Sequence, residues 1–409
     1  MSNRFLVTAG LTLLLLTGCP GPMTPDGGAD AGSPVGDGGF FFTDFAAPST
    51  TAVNNSLLVT ITGEGSATDG TAFPPASSGD PYFLDGWEIS YEHVLVTVGT
   101  VNISEGPDTN PNDQSVTGAQ VAEVVGPWAV DLAKAGPLDS KEQNGKAFPL
   151  ARIANQNQKT GTPAFDPTSK YAFGFTLKTA AAGSKNVNLD AEAQTAYQAM
   201  AQSGASVLLQ GTATWKGARG SPACRSTNPL YDFGRFPKTV KFSFALNAPV
   251  SFKNCVNPEL QPADSRGVQT ASNAESVAQV TFHLDHPFWE ALSEDSPQRW
   301  DLIAARKTVA TGVGPASADV TLADLAIDFQ AAKDAQNMAI PWRTCGPVQV
   351  GERTTGTVSY DPVNVPVNPA GGTAGLKDLV DYMTYNLSTF GHLNNDGLCF
   401  PDRQFPAPR

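Results

Sequence analysis

The segment Trp87 to Ile103, WEISYEHVLVTVGTVNI, constrains this chain more than any other. Trp87, Ile89, Tyr91, His93 and Leu95 alternate on one face, the period of a β-strand, and Gly99 marks a bulge or bend. Shorter runs of the same kind follow the chain: Ser56 to Thr62, Trp128 to Leu132, Tyr171 to Leu177, Val207 to Trp215 and Thr239 to Phe252. Turn-rich stretches such as Gly106 to Asp113 separate them. The 39 Gly and 32 Pro among 409 residues agree with many short strands and exclude a coiled coil or helical bundle. The reading is a mainly β protein of antiparallel, sandwich-type architecture with a few short helices, with α+β as the alternative.

Helix signals are few. Asp190 to Ser203 is Ala-rich, opens on acidic residues and stops at Gly204. Thr373 to Phe390 carries a second apolar pattern and stops at Gly391. Pro287 to Leu292 predicts a short helix with Pro at its first position and Asp285 or His286 near the cap. Val320 to Leu325 predicts one more turn of helix. The polar stretch Pro262 to Ser276 sets a boundary between a β-rich domain at 46–260 and a second β-rich region with a C-terminal helix at 261–409, unless the two form one integrated body.

The N-terminus carries an address. Arg4 precedes an apolar run from Phe5 to Leu16, long enough for a signal-peptide core and too short to span a bilayer. Leu16-Thr17-Gly18-Cys19 follows, and it resembles the lipobox of bacterial lipoproteins. The resemblance implies removal of residues 1–18 and a lipid-modified Cys19, with diacylglycerol and a further acyl chain such as palmitate. Two or three acyl chains anchor a protein stably where one does not. Pro20 in place of Asp points, by the same resemblance, to the outer membrane. Residues 19–45 then form the lipidated Cys and a flexible tether rich in Gly and Pro. Loss of Arg4 takes the net charge from −13 to −14. Such an acidic body excludes general nucleic-acid binding and stands off anionic lipid. The order WEISYEHVLVTVGTVNI, WAVDL, YAFGFTL is similar to uncharacterised β-sandwich lipoproteins over residues 85–180 and implies no assigned activity.

Cys224, Cys255, Cys345 and Cys399 remain in the exported body, an even number that predicts two disulfides. Three pairings are open. Proximity in sequence favours Cys224 with Cys255 and Cys345 with Cys399. No Cys-x-x-Cys spacing supports a thiolate metal site.

The chain has four histidines, and two lie in His283-Leu284-Asp285-His286. A strand over Val277 to Asp285 would put His283 and Asp285 on one face, with His286 turning at its end. With His93 or His392 added, this set could hold zinc or copper, since imidazole suits both. The competing reading has Asp285 capping the next helix and orienting a histidine. Asn394-Asn395-Asp396-Gly397 offers oxygens but lacks EF-hand spacing, so it reads as a turn. Nucleophile elbows, His-Glu-x-x-His and P-loops are absent from the sequence. The six tryptophans read as core residues rather than sugar platforms. The expected role is therefore a lipid-anchored envelope protein with a non-enzymatic binding or structural function, its partner carbohydrate or another envelope protein. The alternatives are a metal-binding envelope lipoprotein and a hydrolase of unrecognised type.

Overall fold

In the computed structural model, Trp87–Ser104 is a single strand at the centre of a ten-stranded sheet. The structure describes residues 39–77, 79–142, 145–218, 224–262, 265–292, 296–346, 353–362 and 376–404. Cys19, the leader and most of the tether lie outside them. Gln120–Asp131 pairs antiparallel along one edge of the long strand. On the other edge its first half pairs with Val207–Trp215 and its second half with Ala172–Leu177. Thr239–Leu246 and Ser317–Thr321 extend the first branch, and Val250–Lys253 and Phe400–Arg403 extend the second.

A second sheet has six strands, with Leu57–Thr62 between Lys146–Ile153 and Ser276–Phe282, and Gly391–Leu393 beyond the last of these. Aromatic rings join the two sheets. Phe175 and Phe252 of the large sheet stack at 4.7 Å, and Phe175 meets Phe282 of the small sheet edge-on at 5.9 Å. Ring pairs of this geometry add about 0.5–1.5 kcal/mol beyond area burial. The mainly β fold with few short helices is as expected, but the sheets are mixed rather than purely antiparallel. Leu57–Thr62 runs parallel to Ser276–Phe282, and Thr239–Leu246 runs parallel to Ser317–Thr321.

The strand Leu57–Thr62 and its neighbour Ser276–Phe282 come from opposite sides of the expected boundary at residue 260, and Phe40–Arg409 forms one compact unit. The polar stretch after Pro262 is thus no domain border: Ser265, Val268 and Thr270 are buried, and Val268 bridges to Tyr171.

The helix Ala191–Gln202 forms where expected. Asp190 caps it by accepting from the backbone N–H of Glu192 and Ala193, and Ala193, Tyr197 and Met200 form its buried stripe. The C-terminal helix is shorter than its pattern, Leu379–Leu387, with Asp378 as its cap. The turn expected after Val320 is a short helix Leu322–Leu325, and that expected at Pro287 spans His286–Phe288.

Both disulfides cross the proximity pairing. Cys224 joins Cys345 and Cys255 joins Cys399. The physical reason is strand pairing: Cys224 lies directly opposite Cys345 in the ribbon of Cys224–Ser226 and Arg343–Cys345. Cys255 follows Val250–Lys253, whose partner Phe400–Arg403 begins just after Cys399.

Candidate metal centre

Parallel pairing brings the ends of two strands together. Thr62 lies beside Thr281, so the chain leaves Leu57–Thr62 and Ser276–Phe282 at the same end of the sheet. The first exit leads through Gly63 to Glu64, and the second delivers His283. On the other side of Ser276–Phe282, Thr281 lies opposite His392 and Phe282 opposite Gly391. A Cβ at Gly391 would stand 2.6 Å from the Phe252 ring, so only glycine lets this strand sit against the aromatic core. That close approach fixes the height of His392.

His283, His286 and His392 each place one side-chain nitrogen within 4.8 Å of the other two. The ring centroids of His283 and His392 are 4.0 Å apart, and His286 stands nearly perpendicular to His392 at 5.3 Å. His286 and His392 are 2% and 5% exposed. Trp289 lies flat on His286 at 3.8 Å.

Oxygen atoms anchor one nitrogen of each ring. His283 Nε2 is 2.8 Å from the Asn395 carbonyl, which can only accept. His392 Nε2 is 3.2 Å from the Thr389 carbonyl. Thr389 Oγ1 spends its own proton on the Asn386 carbonyl, so it accepts from His286 Nδ1 at 2.8 Å. In the neutral rings these bonds assign the N–H and leave a lone pair on His283 Nδ1, His286 Nε2 and His392 Nδ1. His392 Nδ1 is buried and has no hydrogen-bond partner among the described residues. Such outer oxygens orient histidines that bind metals.

Burial holds His286 and His392 well below the usual histidine pKa, and the neighbouring histidines push the same way. Burial also acts to lower His283, but Glu64 and Asp285, with the Asn395 carbonyl, outweigh it and raise the ring above its ordinary value. Glu64 Oε1 sits 3.2 Å from His283 Nε2. Burial pushes Glu64 up to about 8, with His283 pulling the other way.

Two of the expected ligands are elsewhere. His93 Nδ1 is 2.8 Å from Asp131 Oδ2, and Asp131 Oδ1 accepts from the Val94 and Ala133 backbone, so this buried pair pins the two long strands together. Asp285 lies near His283 but accepts from Trp289 Nε1 at 3.0 Å, and it lies outside the convergent set. It makes no side-chain cap to the helix His286–Phe288 either. Sequence reasoning missed Glu64, Thr389 and Asn395. Asn394 and Asn395 adopt left-handed backbone conformations in the turn that leads into Gly397–Leu398, as a turn reading requires.

Compared with protein-family models, curated proteins and solved structures, the chain shows no significant match.

Proposed function

We propose that this chain is a lipid-anchored cell-envelope protein, at the outer membrane, whose β body binds one divalent d-block ion, zinc or copper. The ligands are His283 Nδ1, His286 Nε2 and His392 Nδ1. The observation that carries the reading is the convergence of three of the chain's four histidines within 4.8 Å. An ion held at ~2.0–2.1 Å from each nitrogen needs separations near 3.3 Å, so at most about 1.5 Å of closure completes the site. The carboxyl groups of Glu64 and Asp285 lie next to His283, and a bound cation would be stabilised by their ionised forms. The burial of two ligands supports a storage or structural ion over a reaction centre, because substrate needs an open coordination position. The two disulfides suit an oxidising compartment outside the cytosol, in agreement with the leader and Cys19.

Titration calorimetry on the mature chain without a histidine tag tests this reading. Zinc chloride and copper(II) sulfate are added separately to metal-stripped protein. One equivalent of at least one ion should bind, and His286→Ala and His392→Ala should abolish it, each with an unchanged far-UV spectrum. His93→Gln should bind as the parent does. Absence of saturable binding by either ion, or equal binding by all three variants, would overturn the proposal.

A further inference from the structure

A concavity lined by no histidine lies beside the Cys224–Cys345 disulfide and has a volume of about 760 Å³. That is the size of a pocket for one drug-sized molecule. Its walls are aromatic: Trp215, Tyr231, Phe233 and Phe236. Arg343 is threaded among them, with its guanidinium carbon 4.4 Å from the Phe233 ring and 4.7 Å from that of Trp215.

The polar groups of these walls are already used. Trp215 Nε1 donates to the Asp85 carbonyl, Tyr231 donates to Asp334, and Arg343 is paired with Asp301. A sugar needs several free donors and acceptors, and this wall offers apolar faces instead. The mouth repeats the theme. Leu230 and Val313, 92% and 80% exposed, are the two most exposed large hydrophobic side chains among the described residues, and both line this cavity. Exposed apolar groups gathered at one opening mark a binding surface.

Charge narrows the ligand further. Of the cations lining the cavity, Arg343 is spent on Asp301, and Lys238 remains at the exposed edge, in a protein whose net charge is −13. Asp232 is turned inward, accepting from the Gly234 backbone at 2.8 Å. Lys238 is exposed at the rim and has no ion pair among the described residues.

We propose that this cavity binds a small amphipathic organic anion, an aromatic or similarly flat apolar body bearing one carboxylate. The apolar body packs on the half-exposed outer edges of Trp215 and Phe233, whose facing sides hold Arg343, and against Leu230 and Val313 at the mouth, with the carboxylate towards the Lys238 ammonium. The site does not depend on the metal centre.

Fluorescence titration with 2-naphthoate tests it, with 2-naphthalenemethanol as the neutral match in shape. The parent protein should bind one equivalent of naphthoate, at least tenfold more tightly than the alcohol. Lys238→Glu, a change at an exposed side chain, should remove that preference and leave alcohol binding unchanged. Trp215→Ala should weaken both ligands about tenfold or more. Lack of saturable naphthoate binding up to millimolar concentration would overturn the proposal. So would equal affinity for acid and alcohol in the parent, or an unchanged preference in Lys238→Glu.

Discussion

Removal of the Cys255–Cys399 bond by the double change Cys255→Ala and Cys399→Ala should cost this fold a large part of its stability. The bond closes a sequence separation of 144 residues and secures the edge strand Phe400–Arg403 to Val250–Lys253. The other disulfide, Cys224–Cys345, interlocks with it and shortens the effective loop in the unfolded chain. The entropy depends on the logarithm of loop length, so the shortening matters little, and the loss comes to about 4–5 kcal/mol. Whole domains are commonly stable by only about 5–15 kcal/mol. Guanidinium unfolding of parent and variant supplies the comparison. The midpoint should fall steeply, and the slope should rise because the unfolded chain expands. A loss below about 1 kcal/mol with an unchanged slope would refute the loop-entropy reasoning. A peptide map joining Cys224 to Cys255 would refute the topology beneath it.

Three other outcomes follow from the same structure. Asp85 accepts from the backbone N–H of Trp300 and Asp301, while burial, and then Asp301, push its carboxyl up to about 7. A folded-state value above the unfolded one means that the native state binds the extra proton. Stability should therefore fall as pH rises from about 4 to 7, and Asp85→Asn should make that fall shallower in urea midpoints; an unchanged slope would count against the assignment. Trp300 is fully buried against Phe242, Phe288 and Phe83, so Trp300→Ala should lose about 3–5 kcal/mol in the same assay. A loss under 1 kcal/mol would mean that this aromatic cluster is not packed as described. Cys19→Ala should release the protein from membranes or leave the leader uncleaved, and normal processing with membrane retention would end the lipoprotein reading.

Local patterns were legible where the physics is local. Alternation identified Trp87–Ser104, and an acidic cap with an apolar stripe identified Ala191–Gln202, because each needs only its own residues. Pairing was not legible. Cys224 meets Cys345 because two short strands from distant parts of the chain lie side by side, and nearness in sequence carries no trace of that choice. The same holds at residue 260, where a polar stretch whose Val268 packs into the core imitates a linker between strands that share a sheet.

The histidine site shows both sides. His283 and His286 drew notice by lying close together, and His392 completed the expected set. His93 had the same residue type but faces Asp131, because a register shift between Tyr91 and His93 breaks the expected alternation and puts Leu95 in a different core cluster from Trp87 and Ile89. Asp285 had the right spacing, but its strand ends at Phe282, so the shared face assumed for His283 and Asp285 does not form. Glu64 was invisible as a lone acidic residue after Gly63, because only the parallel pairing of two strand ends carries it to His283.

The most direct test of the central claim is elemental analysis of the untagged protein extracted from its own membranes and dialysed without chelator. Close to one equivalent of zinc or copper per chain is expected, absent from the His286→Ala and His392→Ala variants prepared in parallel. A parent protein carrying less than a tenth of an equivalent of either metal would contradict it.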